Sequence, residues 1–111
     1  QPDVMYLGGL TKALKVAKII EKGGFICTPH TANLSLVTIC TMHFLKAINN
    51  AGPYLEFSIE GKDYYPWQEN LFLGDPFKIS NGMINIKDTP GWGVEINPEW
   101  LIKSKYQKIE I

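Results

Sequence analysis

Residues 24–35 read Gly-Phe-Ile-Cys-Thr-Pro-His-Thr-Ala-Asn-Leu-Ser. A short apolar run ends in Thr28-Pro29-His30 and passes at once into a helical pattern. The run is too short for a helix and is flanked by turn residues, which predicts a buried strand. Its polar end is a histidine, so the same few residues bear on both the fold and the chemistry.

The pattern repeats on either side. Upstream, Asp3 to Gly9 reads as the end of a strand followed by a Gly8-Gly9 turn. Thr11 is expected to cap a helix there. Leu10, Ala13, Leu14, Ala17 and Ile20 recur at helical spacing, and Gly23-Gly24 closes that helix. Downstream, a second helix is expected from about Ala32 to Asn49, with Val37, Cys40, Thr41, Phe44, Leu45 and Ile48 facing inward. Asn49 to Pro53 stops it, and Tyr54-Leu55-Glu56-Phe57-Ser58 supplies a third strand. Strands alternating with helices mean βαβ units, a parallel sheet and an α/β fold. Such strands are buried on both faces and joined by right-handed crossovers.

After residue 60 the character changes. Residues 61–74 are aromatic and irregular, with Tyr64, Tyr65, Trp67 and Phe72. These rings are expected to pack a long loop against the helices. Asn81-Gly82 between alternating segments predicts a two-residue β-hairpin. Pro98 to Leu101 opens a short helix before a lysine-rich tail. Residues 1–60 therefore form one βαβαβ segment, and residues 61–111 a loop, hairpin and tail laid over it, within a single domain.

Composition narrows the function. At 111 residues the chain is one domain at most, and a chain of this size buries about 65% of the surface its unfolded form exposes. Eleven lysines balance eleven carboxylates, and arginine is absent. That leaves no electrostatic footprint for nucleic acid or an anionic membrane, and no guanidinium fork for a carboxylate or phosphate. The longest apolar-rich stretch, Leu34 to Leu45, carries Ser35, Thr38, Thr41 and His43 and is too short to span a bilayer. Cys27 and Cys40, set in apolar patterns, read as reduced core residues of a cytoplasmic protein. The opening Gln1-Pro2-Asp3 reads as the interior of a longer protein.

In parallel α/β sheets, ligands bind beyond the carboxyl ends of the strands. Asp3, His30 and Glu56 fall at three such ends and should face one another. Singly, each has a plain structural reading: Asp3 as a turn residue, His30 as a residue ahead of a helix. Glu56 is harder to dismiss, because a carboxylate inside a buried strand costs several kcal/mol unless it is paired. An aspartate beside a histidine makes a general base near neutral pH. A neighbouring glutamate held protonated can donate to a developing oxyanion. Together they suit proton abstraction next to a carboxylate. His43, within the second helix, reads as structural.

These residues also carry a resemblance. Gln1-Pro2-Asp3-Val4-Met5-Tyr6-Leu7-Gly8-Gly9, then His30 twenty-seven residues after Asp3, then Tyr54-Leu55-Glu56-Phe57, resembles the C-terminal part of the mandelate racemase/muconate lactonizing enzyme branch of the enolase superfamily. The segment Asp88-Thr89-Pro90-Gly91-Trp92-Gly93-Val94 is similar to the family's C-terminal motif. The resemblance implies the last part of a modified (β/α)7β barrel, from the end of strand six through strand eight to the C-terminal tail. It implies Asp3 and His30 as an acid/base dyad, with Glu56 hydrogen-bonding an enediolate. It implies removal of the proton alpha to a carboxylate, with Mg²⁺ held by strands three to five, which this chain lacks. Metal ligands are therefore expected from none of its own residues.

Two functions follow. The first is the C-terminal segment of a Mg²⁺-dependent acid-sugar dehydratase or racemase/epimerase, acting on a small carboxylic acid once joined to the remaining barrel and capping domain. The second is a non-catalytic barrel segment with a structural or binding role. In the second case open strand edges and apolar faces favour a homo-oligomer.

Overall fold

The structure, a computed structural model, describes residues 1–109; residues 110 and 111, the end of the expected tail, lie outside the described residues. The described residues form three α-helices, α1 (Leu10–Lys22), α2 (Leu36–Ala47) and α3 (Pro98–Lys103), and one short hairpin of β1 (Ile79–Ser80) and β2 (Met83–Ile84). A single 3-10 turn, Pro66–Gln68, interrupts the aromatic loop.

Helix α1 begins where the chain reverses at Gly8 and Gly9, whose φ angles are 91° and 95°. Those values suit glycine and few other residues. Gly9 occupies the N-cap, so Thr11 falls inside the first turn and does not cap it. The other end is a Schellman closure: the Phe25 amide donates to the Ile20 carbonyl at 3.1 Å and the Gly24 amide to Glu21 at 2.9 Å. Of the expected stripe, Ala13 and Ala17 are buried and Leu14 lies out on the flank.

Helix α2 starts one turn later than expected, at Leu36. Ser35 is its N-cap and accepts the Val37 amide at 3.1 Å. Asn33 and Ser35 bond to each other locally, the serine hydroxyl donating to Asn33 Oδ1 at 2.5 Å, and residues 32–35 stay outside the helix. The helix is apolar almost all round and is buried on two sides. Phe44 packs with Val4, Ala13, Ala17 and Cys27, on the side facing α1. Ile39 and Met42 pack with Phe72 and the C-terminal segment. The expected inward stripe is thus too narrow: it omits Thr38, Ile39 and Met42, all buried. Phe44→Ala removes a side chain that is 1% exposed at the centre of the first cluster. The expected loss is about 3–5 kcal/mol, read as a lower chemical-denaturation midpoint.

The parallel sheet survives as single bridges rather than ladders. Cys27 pairs with Ala51, taking the Gly52 amide on its carbonyl and giving its own amide to Asn50, both at 2.8 Å. Asp3 pairs with His30 through the His30 amide and the Pro2 carbonyl at 3.2 Å. Residue 3, residues 27–30 and residue 51 therefore lie side by side in parallel, and the third segment bridges at Ala51, ahead of the expected Tyr54 to Ser58 strand. Tyr54 to Ser58 forms no ladder, and Phe25 and Ile26 are exposed rather than buried. A parallel strand needs a neighbour on each edge and a helix on each face; among the described residues these segments have only part of that cover.

The C-terminal segment wraps the far side of α2. Phe72 bridges Ile96 antiparallel, supported by Leu73 to Glu95 at 2.8 Å and Asn97 to Leu71 at 2.9 Å. The hairpin turns at Asn81-Gly82, where φ is 50° and 72°, the paired positive values of a type I′ turn. Asn97 caps α3 by accepting the Glu99 amide. His43 donates through Nε2 to the Trp92 carbonyl at 3.0 Å and meets that indole edge-on at 5.3 Å, a structural contact. Cys27 and Cys40 are free thiols, and burial pushes both above the usual thiol range. No helix among the described residues is long and apolar enough to cross a membrane.

Candidate active site

His30 and Glu56 meet at the end of the bridged segments. Glu56 Oε2 lies 2.7 Å from His30 Nδ1 and accepts the Thr31 amide at 2.9 Å. One carboxylate oxygen thus holds two consecutive residues of the 27–31 segment. An ionised carboxylate offers no proton, so the ring must donate Nδ1–H. That fixes the tautomer: in neutral His30 the lone pair sits on Nε2. The pair is open to solvent, with side-chain exposures of 46% and 49%. Glu56 is therefore not the buried strand carboxylate expected from its apolar neighbours. Its stabilisation comes from two hydrogen bonds at a wet site, and a substrate can reach the ring.

Asp3 comes to the same place by backbone but turns its side chain elsewhere. Its Oδ1 accepts the Met5 and Tyr6 amides, each at 2.8 Å. This is a local turn cap, the plain reading of that residue. The expected Asp3 and His30 juxtaposition is present in the main chain, whereas the carboxylate on the imidazole is Glu56.

Two polar groups escaped the sequence reading. Thr31 and Thr38 are 2% and 1% exposed, and their hydroxyls lie 2.7 Å apart. A threonine inside the apolar pattern of α2 is a usable signal, since a buried hydroxyl needs a partner. The second is Gln68. Its Oε1 accepts the Leu34 amide at 2.5 Å and its Nε2 donates to the Glu60 carbonyl at 3.3 Å. It ties the loop after His30 to the loop after Glu56.

Around that tie the aromatic residues pack mainly on one another, Tyr64 on Tyr65 at 4.6 Å and Tyr65 on Trp67 at 5.5 Å. Desolvation, then the neighbouring Tyr64, Glu60 and Tyr6, pushes the Tyr65 hydroxyl above its usual range. The Ser58 hydroxyl bonds Glu60 and lowers that carboxyl.

A groove of about 540 Å³ lies elsewhere, between α2, residues 52–57 and the hairpin. Leu45, Leu55, Phe57 and Met83 help line it, and neither His30 nor Glu56 does. Its lining is mainly apolar, with Lys46, Tyr54 and Asn85 as its polar side chains. Among the described residues, no three His, Cys, Asp or Glu side chains converge as a metal site does. The described residues of the chain do not fit a Mg²⁺ site of their own.

Residues 1–100 match the family described as enolase C-terminal domain-like. An L-rhamnonate dehydratase from Saccharopolyspora erythraea is 28% identical over 109 residues, covering 96% of this chain and 26% of that protein. A crystal structure of a candidate racemase from Roseobacter denitrificans superposes with a TM-score of 0.92 at 58% identity, over all of this chain and 30% of that one. An enolase from Mycobacterium smegmatis gives 0.67 at 24% identity, over 88% of this chain and 22% of that one, a likeness of fold alone. The chain thus spans about a quarter to a third of the relatives it matches, as part of a barrel enzyme would. By a match that runs through residues 1–100, the chain belongs to the enolase superfamily, in its mandelate racemase/muconate lactonizing enzyme-like branch.

Proposed function

We propose that this chain is the acid/base segment of a whole enzyme that removes the proton alpha to the carboxylate of a sugar acid, leading to dehydration or epimerisation. The observation that carries the proposal is the 2.7 Å contact that presents His30 with Nδ1–H on Glu56 and Nε2 open. Its setting supports it: a chain 28% identical to an L-rhamnonate dehydratase and 58% identical to a candidate racemase.

In this reading the α C–H bond breaks, the proton passes to His30 Nε2, and the electron pair moves into the substrate carboxylate to give an enediolate. Glu56 holds the ring and offsets the charge of the imidazolium as it forms. The resemblance gives Glu56 a hydrogen bond to the enediolate instead. The 2.7 Å contact with His30 supports the orienting role. Asp3, the dyad partner by resemblance, shapes the 3–6 turn beside the ring.

The segments Asp3, Cys27 to His30 and Ala51 to Ser58 are assigned to barrel strands six, seven and eight. Residues 61–111 pack on the barrel and the capping domain. Mg²⁺, which the family uses to polarise the carboxylate, would be held by the remaining strands of the whole enzyme. That enzyme is proposed to be a homo-oligomer.

The test is a panel of sugar acids, L-rhamnonate among them, incubated with the whole enzyme and Mg²⁺. A 2-keto-3-deoxy acid marks a dehydratase, and a C2 epimer marks a racemase or epimerase. No product and no exchange from any acid would leave the chain as a non-catalytic barrel segment.

A further inference from the structure

Thr31 does two things at once. Its amide donates to the Glu56 oxygen that holds His30, and its side chain is buried against Thr38. The proton order in this buried cluster is fixed by elimination. Thr38 Oγ1 donates to the Asn33 carbonyl, which can only accept. A hydroxyl has one proton, so Thr38 has none left for Thr31. Thr31 must therefore donate to Thr38, and Thr38 to Asn33. The chain of bonds runs from the residue after His30 into the first turn of α2, which Ser35 caps.

We propose that Thr31 and Thr38 are positioning residues for His30. They pin the backbone of residues 30–31 to α2, so that the Thr31 amide and the His30 ring meet the same carboxylate oxygen. The inference rests on His30 acting as the acid/base group. No polar atom of either threonine contacts the ring itself, so both act through Glu56. Two loosened bonds on one oxygen should free the ring to exchange its Nδ1–H and Nε2–H tautomers. Buried, fully connected hydroxyls favour a single arrangement and lose that advantage when one member goes.

Thr31→Val and Thr38→Val keep side-chain volume and the amide of residue 31 while removing one hydroxyl each. Thr31→Ser restores the donor. Thr41 is an equally buried threonine of α2 whose hydroxyl bonds only the Val37 carbonyl, so Thr41→Val controls for packing.

The readout is the pair of ring ¹⁵N shifts of His30 in the histidine-labelled whole enzyme, at a pH where the ring is neutral. Wild type, Thr31→Ser and Thr41→Val are expected to show one dominant tautomer, and the two valine variants at residues 31 and 38 a mixture. Turnover in those two should fall about tenfold, the lower end of what outer-shell partners usually carry, with KM changed less than twofold.

A single tautomer retained in both valine variants would overturn the proposal. So would an equal shift in Thr41→Val. The shifts are read without substrate. If they follow residues 31 and 38 while no acid is turned over, the positioning role stands and the acid/base reading fails.

Discussion

His30→Asn in the whole enzyme is expected to lower turnover by about 10³-fold, within the range that a positioned general acid or base contributes. Asparagine keeps a donor that can reach Glu56, so the 27–31 segment should hold its place. What it lacks is a basic nitrogen where Nε2 stood. The loss should therefore appear in kcat, with KM for the acid and affinity for Mg²⁺ little changed, the latter measured by titration calorimetry. Unchanged turnover would remove His30 from the chemistry. A parallel loss of Mg²⁺ affinity would show that the substitution had disturbed more than the base.

Glu56→Gln and Asp3→Asn should separate in their effects. Glutamine at 56 still accepts a hydrogen bond, but it carries no charge to offset an imidazolium. A loss of about 10²-fold in kcat is expected, of the order carried by one well-placed charged partner in a site. Asparagine at 3 keeps the oxygen that accepts the Met5 and Tyr6 amides. The turn should survive, and kcat should stay within about threefold, as for a substitution that leaves its hydrogen bonds intact. The opposite ranking, with Asp3→Asn the more damaging, would restore Asp3 as the partner of His30. Steady-state kinetics on the two variants settles the order.

That ranking also marks how far the sequence could be read. Strand-end placement led to the expectation that residues 3, 30 and 56 face one another; the structure sets the Asp3 backbone beside His30 and the Glu56 carboxylate on its ring. Which carboxylate takes the ring does not follow from topology. Asp3 has two amides of its own turn within reach, and local side-chain bonds compete with distant ones. No spacing rule shows that contest. The buried threonines were missed for a related reason: helical periodicity counts a threonine as filler and says nothing of where its hydroxyl points.

The helices were legible because their signals are local. The glycines after α1 gave its end, and Asn81-Gly82 gave the hairpin. The start of α2 was placed too early because the Asn33 and Ser35 side chains hold the turn before it open. Strands were the least legible element. Phe25 and Ile26 read as buried from their composition, yet they are 71% and 66% exposed. Their burial depends on neighbouring segments, and hydrophobic pattern cannot report whether those neighbours are present. The same holds for Tyr54, at 76%. These side chains are where the remaining barrel is expected to rest.

The most direct measurement is α-proton exchange. The whole enzyme is incubated in D₂O with each sugar acid of the panel, and deuterium at the α carbon is followed by proton NMR. Wild type is expected to incorporate deuterium from at least one acid, and His30→Asn from none. Incorporation by His30→Asn at the wild-type rate would contradict this.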